Sequence, residues 1–190
     1  MNFEDFFKKN IKISQKNFLT LGGKKYTKKL NTIAKLVINC LQEKNKIIFC
    51  GNGGSAADSQ HLAAEFVSKF LKKRKPYSAI SLTPNASILT SIANDFGYTE
   101  VFKKQIQALG KKGDLLFGIS TSGKSLNVIK ALAEAKKSGL HTVLLTGNQC
   151  PEYKFVDHLF KVPSSRVDRI QEMHIFIGHN ICEVVEKEIN

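Results

Sequence analysis

Four hydroxyl side chains crowd one short segment of the sequence. The segment GISTSGKS, residues 118–125, carries them at Ser120, Thr121, Ser122 and Ser125. An apolar run precedes it and a helical pattern follows, so the hydroxyls would surround the N–H groups and the positive dipole end of a helix, which favour an anion. Ser125 alone could be an ordinary N-cap, but four hydroxyls exceed what a cap requires. The segment therefore predicts a cradle for a phosphate monoester.

The same segment also fits G-x-x-x-x-G-K-[ST], the phosphate-loop pattern of nucleoside triphosphatases. Those proteins need an aspartate at the end of another buried strand to hold magnesium. The other apolar runs lead instead into Gly51, Thr83, Thr146 and Pro163, and Gly118 lies inside its own run. The sequence therefore argues against a triphosphatase.

A glycine-rich segment, GNGGS at residues 51–55, follows the first apolar run. With the next residue it fits the dinucleotide pattern G-x-G-x-x-[GA], but that site needs an acidic residue about 20 positions further on to hold the ribose. The second apolar run ends in SLTP, residues 81–84, without Asp or Glu. A dinucleotide site is therefore not expected, and Ser55 is either a helix N-cap or a second anion donor.

His61 and Glu65 stand four residues apart in the helix predicted after GNGGS. That spacing places both side chains on one face, where such a pair ordinarily makes a surface hydrogen bond. The glycines at the head of the helix favour another role, because they let a ligand approach the backbone. The pair suits metal capture, and a carboxylate is also the base that proton transfer beside a carbonyl requires.

The rest of the pattern predicts an α/β fold. Residues 1–45 have helical spacing with a break at residues 21–23, and short apolar runs then alternate with helical segments, the first of them from residue 56 to about 70. The runs cover residues 46–50, 77–82, 114–119, 141–147 and 157–162, and a last helix covers about 167–188. Strands this apolar are covered on both faces, which is typical of a doubly wound parallel sheet flanked by helices. Ligands bind such sheets at the carboxyl ends of the strands, where both glycine-rich loops are expected.

The composition is that of an ordinary globular chain with a basic surface. Hydrophobic residues make up 42% and charged residues 24%, and the formal net charge is +13. The lysines are scattered along helical segments with few aromatics between them, so we expect a solvated surface and no nucleic-acid partner. No run is as long as a membrane span and the N-terminus lacks the apolar centre of a signal peptide, so we expect a cytoplasmic protein with no membrane partner. The four cysteines show no C-x-x-C spacing and are expected to be buried free thiols.

Four motifs in order carry a resemblance to a known family. They are GNGGSAADSQHLAAE, IANDFG, GISTSGKSLNVIKAL, and DRIQEMH with a later His179. With them the chain resembles the phosphoheptose isomerase family of the sugar isomerase (SIS) fold, from about residue 30 to the C-terminus. The resemblance implies one SIS domain over residues 1–190, a flavodoxin-like three-layer sandwich with extra N-terminal helices. We expect those helices, residues 1–45, to take part in oligomer packing.

The resemblance also implies a function. It implies conversion of sedoheptulose 7-phosphate to D-glycero-D-manno-heptose 7-phosphate, a step of heptose biosynthesis for surface polysaccharide such as lipopolysaccharide or capsule. It further implies one zinc ion per active site and a homotetramer with active sites between subunits. Removing a proton beside the carbonyl and returning one to the neighbouring carbon needs a carboxylate base and an acid facing the two oxygens.

The resemblance assigns roles to individual residues of this sequence. The phosphate would be bound by Ser120, Thr121, Ser122 and Ser125. The sugar would be held by Asn52, Gly53, Gly54, Ser55, Glu65, Asn94, Asp95 and Gln171, with Asp168 nearby. The metal would be held by His61, Glu65, Gln171 and His179. Glu65 and His179 would be catalytic.

Helix geometry does not decide whether His174 or His179 is the last metal ligand. Gln171 and His179 are eight residues apart, so an unbroken helix separates their Cα atoms by roughly 12 Å. Both reach one ion only with stretched side chains or with a bend, for which Gly178 is a candidate. His174, three residues after Gln171, is better spaced on geometry alone and remains the rival of His179.

Two other functions remain as alternatives. The same fold serves non-catalytic relatives that bind other proteins, one of them the bacterial replication initiator, and this chain could be such a scaffold. Glu65 and His179 favour an enzyme, because a scaffold needs neither a base nor a second metal-reaching group there. An isomerase for a different sugar phosphate is the third possibility, since the assigned residues do not measure the length of the sugar.

Overall fold

A single parallel sheet forms the centre of the molecule. The computed structural model describes residues 2–189, and within them the strands are β1 Ile47–Gly51, β2 Ala79–Ser81, β3 Leu115–Ile119, β4 His141–Thr146 and β5 His158–Lys161. Their order is β2-β1-β3-β4-β5, and every neighbouring pair is parallel. This is the flavodoxin-like doubly wound order, in which the direction of winding reverses between β1 and β3. The predicted fold class is confirmed, and the loops after β1 and β3 lie side by side.

Helices cover both faces of the sheet. They are α1 Phe3–Leu21, α2 Lys24–Gln42, α3 Gly54–Val67, α4 Ala86–Phe96, α5 Val101–Leu109, α6 Leu126–Lys137 and α7 Val167–Glu188, with a 3₁₀ turn at Tyr98–Glu100. α3 ends three residues earlier than the pattern predicted. The reason is that the Arg74 guanidinium, and not a further helical turn, bonds the carbonyl oxygens of its last turn.

Two apolar layers join the helices to the sheet. In β1, the side chains of Ile47 and Phe49 lie in the core formed with α2, α3 and α7, whereas Ile48 and Cys50 lie in the core formed with α5 and α6. This alternation follows from the pleat of a strand that is buried on both faces. All four cysteines are free and buried, as predicted. No helix within residues 2–189 is long and apolar enough to cross a membrane.

Candidate active site

The hydroxyl-rich loop after β3 is folded as a small cradle. Ser120 is buried, and its Oγ lies 3.0 Å from Ser125 Oγ and accepts a hydrogen bond from the Gly123 N–H at 3.1 Å. Ser125 occupies the N-cap position of α6, yet its side chain makes no capping hydrogen bond. Its hydroxyl is therefore not needed to cap the helix and can donate to a ligand at the positive end of the α6 dipole.

A cavity of about 130 Å³ lies beside this cradle, between the loops after β3 and β4. Its wall includes the predicted phosphate residues Thr121 and Ser122. It also includes Lys124, which adds a positive charge next to the hydroxyls. From the sequence, Lys124 was considered only as the lysine of the triphosphatase pattern. A cation within a hydroxyl-rich loop is, however, itself a signal for an anion site.

Two amide side chains join the glycine-rich loop after β1 to the first turn of α6, which follows the phosphate loop. Asn52 Nδ2 donates to Asn127 Oδ1 at 2.9 Å, and Asn127 Nδ2 donates to Asn52 Oδ1 at 2.8 Å. The Tyr98 hydroxyl also donates to Asn52 Oδ1, at 3.1 Å. Asn127 is buried in the first turn of α6. The sequence reasoning missed it, although a polar residue one turn before Ala131 on an apolar helix face is a detectable signal.

Gln171 lies against the start of α3. A Cβ added at Gly54 would be 2.4 Å from Gln171 Nε2, so the end of this side chain occupies the space next to the glycine. Gly53 has φ of 55° and open space around it, whereas Ser55 is buried in the first turn. The loop, Ser55 and Gln171 thus form one wall near the carboxyl end of β1.

His61, Glu65 and His179 form a cluster where α3 crosses α7. The Nε2 atoms of His61 and His179 lie 2.8 Å apart, and Glu65 Oε1 lies 3.4 Å from His61 Nε2. The imidazole rings meet edge to face, with centroids 5.1 Å apart. The side chain of His61 is 47% exposed and that of Glu65 is 21% exposed, so a ligand can reach the cluster from solvent.

The crossing of the two helices depends on Gly178. A Cβ at this position would lie 2.4 Å from Leu62 Cδ2, which means that the helices touch where one of them has no side chain. α7 runs unbroken from Val167 to Glu188, so Gly178 provides a close approach and not the bend that the sequence suggested. Gly54 precedes His61 by seven residues, or about 10 Å of helix. Within one chain Gln171 therefore stands with the glycine-rich loop and apart from the His61 cluster.

The donors of the cluster suit zinc in kind. Two imidazoles and a carboxylate are common zinc ligands, and neighbouring ligands of a tetrahedral zinc lie about 3.3 Å apart. The His61–Glu65 separation of 3.4 Å agrees with that value, whereas the two Nε2 atoms would have to move apart by about 0.5 Å. As placed, residues 2–189 contain no group of three or more His, Cys, Asp and Glu side chains arranged around a metal position.

His174, the rival ligand, does not lie in this cluster. Its side chain is completely buried, and neither ring nitrogen has a hydrogen-bond partner within the described part of the chain. Burial lowers the pKa of His174 to about 4, and the nearby backbone of Thr146 opposes that shift without reaching hydrogen-bond geometry to the ring. His174 is therefore a neutral core residue, and His179 is the histidine that faces His61.

Three predicted sugar residues stand on exposed helix surfaces. Asn94 Nδ2 donates to Asp95 Oδ1 at 2.8 Å, and both residues are exposed on α4. Asp168, in the first turn of α7, is bonded by Arg166 Nη2 at 2.6 Å and by Arg169. The hydrogen bond from Arg166 holds the pKa of Asp168 well below its usual range. The hydrogen bonds that these residues make within residues 2–189 do not join them to the His61 cluster of their own chain.

Asp58 is a further acidic residue that the sequence reasoning passed over. It precedes His61 by three residues on α3, and its Oδ2 is buried without a hydrogen-bond partner among residues 2–189. Burial raises the pKa of Asp58 to about 6, against the opposing charge of His61. The spacing D-x-x-H on one helix face was the available signal.

Known proteins resemble the chain over most of its length. The SIS domain family model matches residues 14–147. A phosphoheptose isomerase of Clostridium acetobutylicum is 49% identical over 165 residues, which cover 86% of this chain and 84% of that protein. The structure of phosphoheptose isomerase GmhA from Neisseria gonorrhoeae is 38% identical with a TM-score of 0.83 and 97% coverage of both chains. A phosphoheptose isomerase structure from Francisella tularensis has a TM-score of 0.92 at 28% identity and covers 99% of this chain and 100% of that one.

The likeness in sequence and the likeness in fold point to one family. The family model matches more than half of the chain, and the chain covers 84% of the Clostridium acetobutylicum protein and 100% of the Francisella tularensis structure. Three of the four motifs carry residues that build the phosphate cradle, the glycine-rich loop and the His61 cluster, whereas Asn94 and Asp95 of the other motif lie exposed on α4. The chain belongs to the SIS domain family and, within it, to the phosphoheptose isomerases.

Proposed function

We propose that the chain is the aldose–ketose isomerase that converts sedoheptulose 7-phosphate to D-glycero-D-manno-heptose 7-phosphate. The observation that carries this proposal is the meeting of His61, Glu65 and His179 in a fold that also builds a hydroxyl cradle for a phosphate. A sugar phosphate needs both parts, one for its phosphate and one for its carbonyl end. The family to which the chain belongs supports this choice of substrate.

The reaction moves a carbonyl from C2 to C1 through an enediolate. In this proposal the Glu65 carboxylate takes the proton from C1 and returns it to C2. His179 donates a proton to the oxygen on C2 and accepts one from the oxygen on C1. A base and an acid placed in this way each contribute about 10²- to 10⁴-fold to the rate. The hydroxyl side chains of the phosphate cradle and Asn52 hold the rest of the sugar in place. C1 and C2 therefore face Glu65 both when the proton is removed and when it is returned.

We also propose that His61, Glu65 and His179 hold one zinc ion, and that Glu65 and His179 exchange between metal contact and proton transfer, because an atom bound to the ion cannot take or give a proton at the same time. A zinc ion bound there would act as a Lewis acid that polarises the carbonyl, and it would orient the oxygens on C1 and C2. The donor set and the 3.4 Å separation between His61 and Glu65 support it. Gln171 is the fourth metal ligand that the family resemblance implies. Because Gln171 lies beside Gly54 and apart from the His61 cluster of its own chain, we propose that it binds the zinc ion of a second copy of the chain.

A homotetramer with active sites between subunits is part of this proposal. Its support is the exposed apolar face of α1, where Phe7 is 63% and Leu19 is 81% exposed. Between α1 and α7 lies a groove of about 1260 Å³ that Ile175 also lines. The exposed Asn94 and Asp95 could then meet the sugar of a neighbouring copy. Four free, buried cysteines are typical of a reducing compartment, which supports a cytoplasmic reaction.

An isomerase assay tests the function directly. The protein is incubated with sedoheptulose 7-phosphate, and the aldose product is followed by NMR, with shorter ketose phosphates as comparison substrates. We expect product with the wild-type protein, none after treatment with a chelator, and recovery when zinc is added back. Binding of sedoheptulose 7-phosphate without any product, in the presence of zinc, would contradict the enzyme and favour the scaffold.

A further inference from the structure

A buried ion pair joins the ends of α3 and α7 behind the His61 cluster. Arg74 Nε donates to Glu186 Oε1 at 2.9 Å, and the two side chains are 1% and 2% exposed. Arg74 belongs to the lysine-rich loop after α3, and Glu186 lies in the last turns of α7. Neither residue was assigned a role from the sequence, because the basic residues of the chain were expected to form a solvated surface.

Arg74 holds the end of α3. Its Nη2 donates to the carbonyl oxygen of Glu65 at 2.6 Å, and its Nη1 donates to the carbonyl oxygens of Phe66 at 2.8 Å and Ser68 at 3.3 Å. Carbonyl groups in the last turn of a helix have no partner within the helix, so these bonds decide where that turn lies. One of the carbonyl groups belongs to the residue that carries the proposed catalytic carboxylate.

Glu186 holds the other side of the cluster. Its carboxylate accepts hydrogen bonds from the backbone N–H groups of Phe70, Leu71 and Lys72 at 2.8, 2.9 and 3.0 Å. The ring of Phe70 lies against the His179 imidazole, with centroids 5.4 Å apart. Glu186 follows His179 by seven residues, so the two project from the same face of α7. The carboxylate therefore fixes the aromatic wall on which His179 rests.

We propose that Arg74 and Glu186 are positioning residues for the isomerisation, and that their ion pair, the Arg74–Glu186 clasp, sets the separation between Glu65 and His179. This inference rests on the proposed function. A buried ion pair adds little net stability compared with a well-packed apolar pair, whereas a shift of about 1 Å at a reacting group costs on the order of 100-fold in rate. The clasp therefore acts mainly on geometry.

The first test compares the kinetic constants of variants in the Arg74–Glu186 clasp with those of a variant in another buried, ion-paired carboxylate. Glu186→Gln and Arg74→Lys should lower kcat about 10- to 100-fold and change KM less than about threefold, because the substrate still binds but the reacting groups are displaced. Asp114→Asn is the control. Asp114 is also buried, accepts N–H bonds from Lys46 and Lys111, and pairs with the Lys46 ammonium just before β3, so these bonds go to residues outside α3, α7 and the loop that carries Arg74.

Each variant is assayed well below its own thermal midpoint, so that unfolding does not contribute. Asp114→Asn should keep kcat within about twofold of wild type. The positioning role is wrong if Asp114→Asn lowers kcat as much as the clasp variants do. It is also wrong if the clasp variants raise KM and leave kcat unchanged.

A second pair of variants avoids any change in buried charge. Phe70→Leu removes the ring beside His179, while Phe70→Tyr keeps it. We expect Phe70→Leu to lower kcat about tenfold with KM unchanged and Phe70→Tyr to retain the wild-type kcat. Equal kcat values for the two variants would overturn the link from the clasp to His179.

The NMR signals of the histidine rings report the position of His179 without requiring catalytic activity. In NMR spectra the His179 resonances should move in Glu186→Gln and in Phe70→Leu, because the ring changes place beside Phe70, and should stay unchanged in Asp114→Asn. Unmoved His179 signals in both variants would overturn the clasp. If the wild-type protein fails to convert sedoheptulose 7-phosphate, the proposed function fails, and the spectra still decide whether the clasp positions His179.

Discussion

The Nε2 atoms of His61 and His179 lie 2.8 Å apart, although 118 residues separate these histidines in the chain. At that distance one ring nitrogen donates a hydrogen bond to the other. α3 and α7 bring the rings together because Gly178 lets Leu62 pack against the backbone of α7. The distance between the two histidines, and with it the chemistry of the cluster, therefore depends on the spacing of the two helices.

A methyl group at the helix crossing should separate the histidines. In Gly178→Ala the new Cβ would collide with Leu62, and overpacking of this kind costs about 1–3 kcal/mol, offset by about 1 kcal/mol of helix propensity. We expect a small loss of stability and a loss of kcat of at least tenfold, given what a small displacement costs. Asn180→Ala, on the exposed side of the same helix, is the control and should retain activity. Full activity in Gly178→Ala would contradict the coupling between helix spacing and chemistry.

Removing the charge of Glu65 should abolish turnover. Glu65→Gln keeps the shape of the side chain but can no longer take a proton, and loss of a positioned base costs about 10²- to 10⁴-fold in kcat. The folded state should survive, since the Arg74 bonds go to the backbone of residue 65 and not to its side chain. Steady-state kinetics and circular dichroism test both points, with the exposed Glu152→Gln as the control. More than a tenth of the wild-type activity would exclude Glu65 as the base.

The cradle hydroxyls should affect substrate binding more than the chemical step. Ser125→Ala removes a hydroxyl that does not cap α6, so we expect little change in the free energy of unfolding. A hydrogen bond to a charged phosphate is worth about 1.5–3 kcal/mol, which corresponds to a rise in KM of about 10- to 100-fold. Ser138→Ala, at the other end of α6, should leave KM unchanged. The role in phosphate binding is refuted if inorganic phosphate inhibits Ser125→Ala and wild type equally.

Sequence patterns predicted the elements because each element has a local cause. The apolar spacing of α7 predicted its bounds, about residues 167–188, and the strands were predicted from short apolar runs. The early end of α3 was missed because Arg74, six residues beyond Ser68, caps it. Local periodicity contains no information about such a tertiary bond.

The contacts within the site were less predictable than the elements. His61 and Glu65 were paired correctly by helix spacing, but the meeting of Gln171 with Gly54 depends on how α7 crosses α3. The same holds for the clasp, whose partners are 112 residues apart. Spacing also favoured His174 as a ligand, and the structure buries it because it lies on the core face of α7.

Charges on the outer face of α1 should disrupt the proposed homotetramer. Phe7 and Leu19 are exposed and apolar, and large exposed apolar patches usually mark an interface. We expect Phe7→Asp with Leu19→Asp to give smaller particles by multi-angle light scattering than the wild-type protein. Lys8→Asp, one residue from Phe7, is the charge-changing control. An unchanged tetramer in the double variant would contradict the role of residues 1–45 in oligomer packing.

His174 should make the folded state sensitive to acid. Burial lowers its pKa to about 4 in the folded state, against 6.5 for a free histidine, so the unfolded chain takes up a proton first as the pH falls. The contribution of neutral His174 is complete above pH 6.5, is lost between about pH 6.5 and pH 4, and stays lost below that range. The total loss amounts to about 3 kcal/mol.

His174→Leu isolates this contribution. Asp58, with its pKa raised to about 6, changes stability in the opposite direction over the same range, so the informative quantity is the difference between variant and wild type. Urea unfolding at several pH values should show that difference growing in favour of His174→Leu as the pH falls from 6.5 to 4. The exposed His141→Gln should follow the wild-type curve. A difference that is constant with pH would mean that His174 keeps an ordinary pKa in the folded protein, because only a depressed pKa makes the native state bind fewer protons than the unfolded chain.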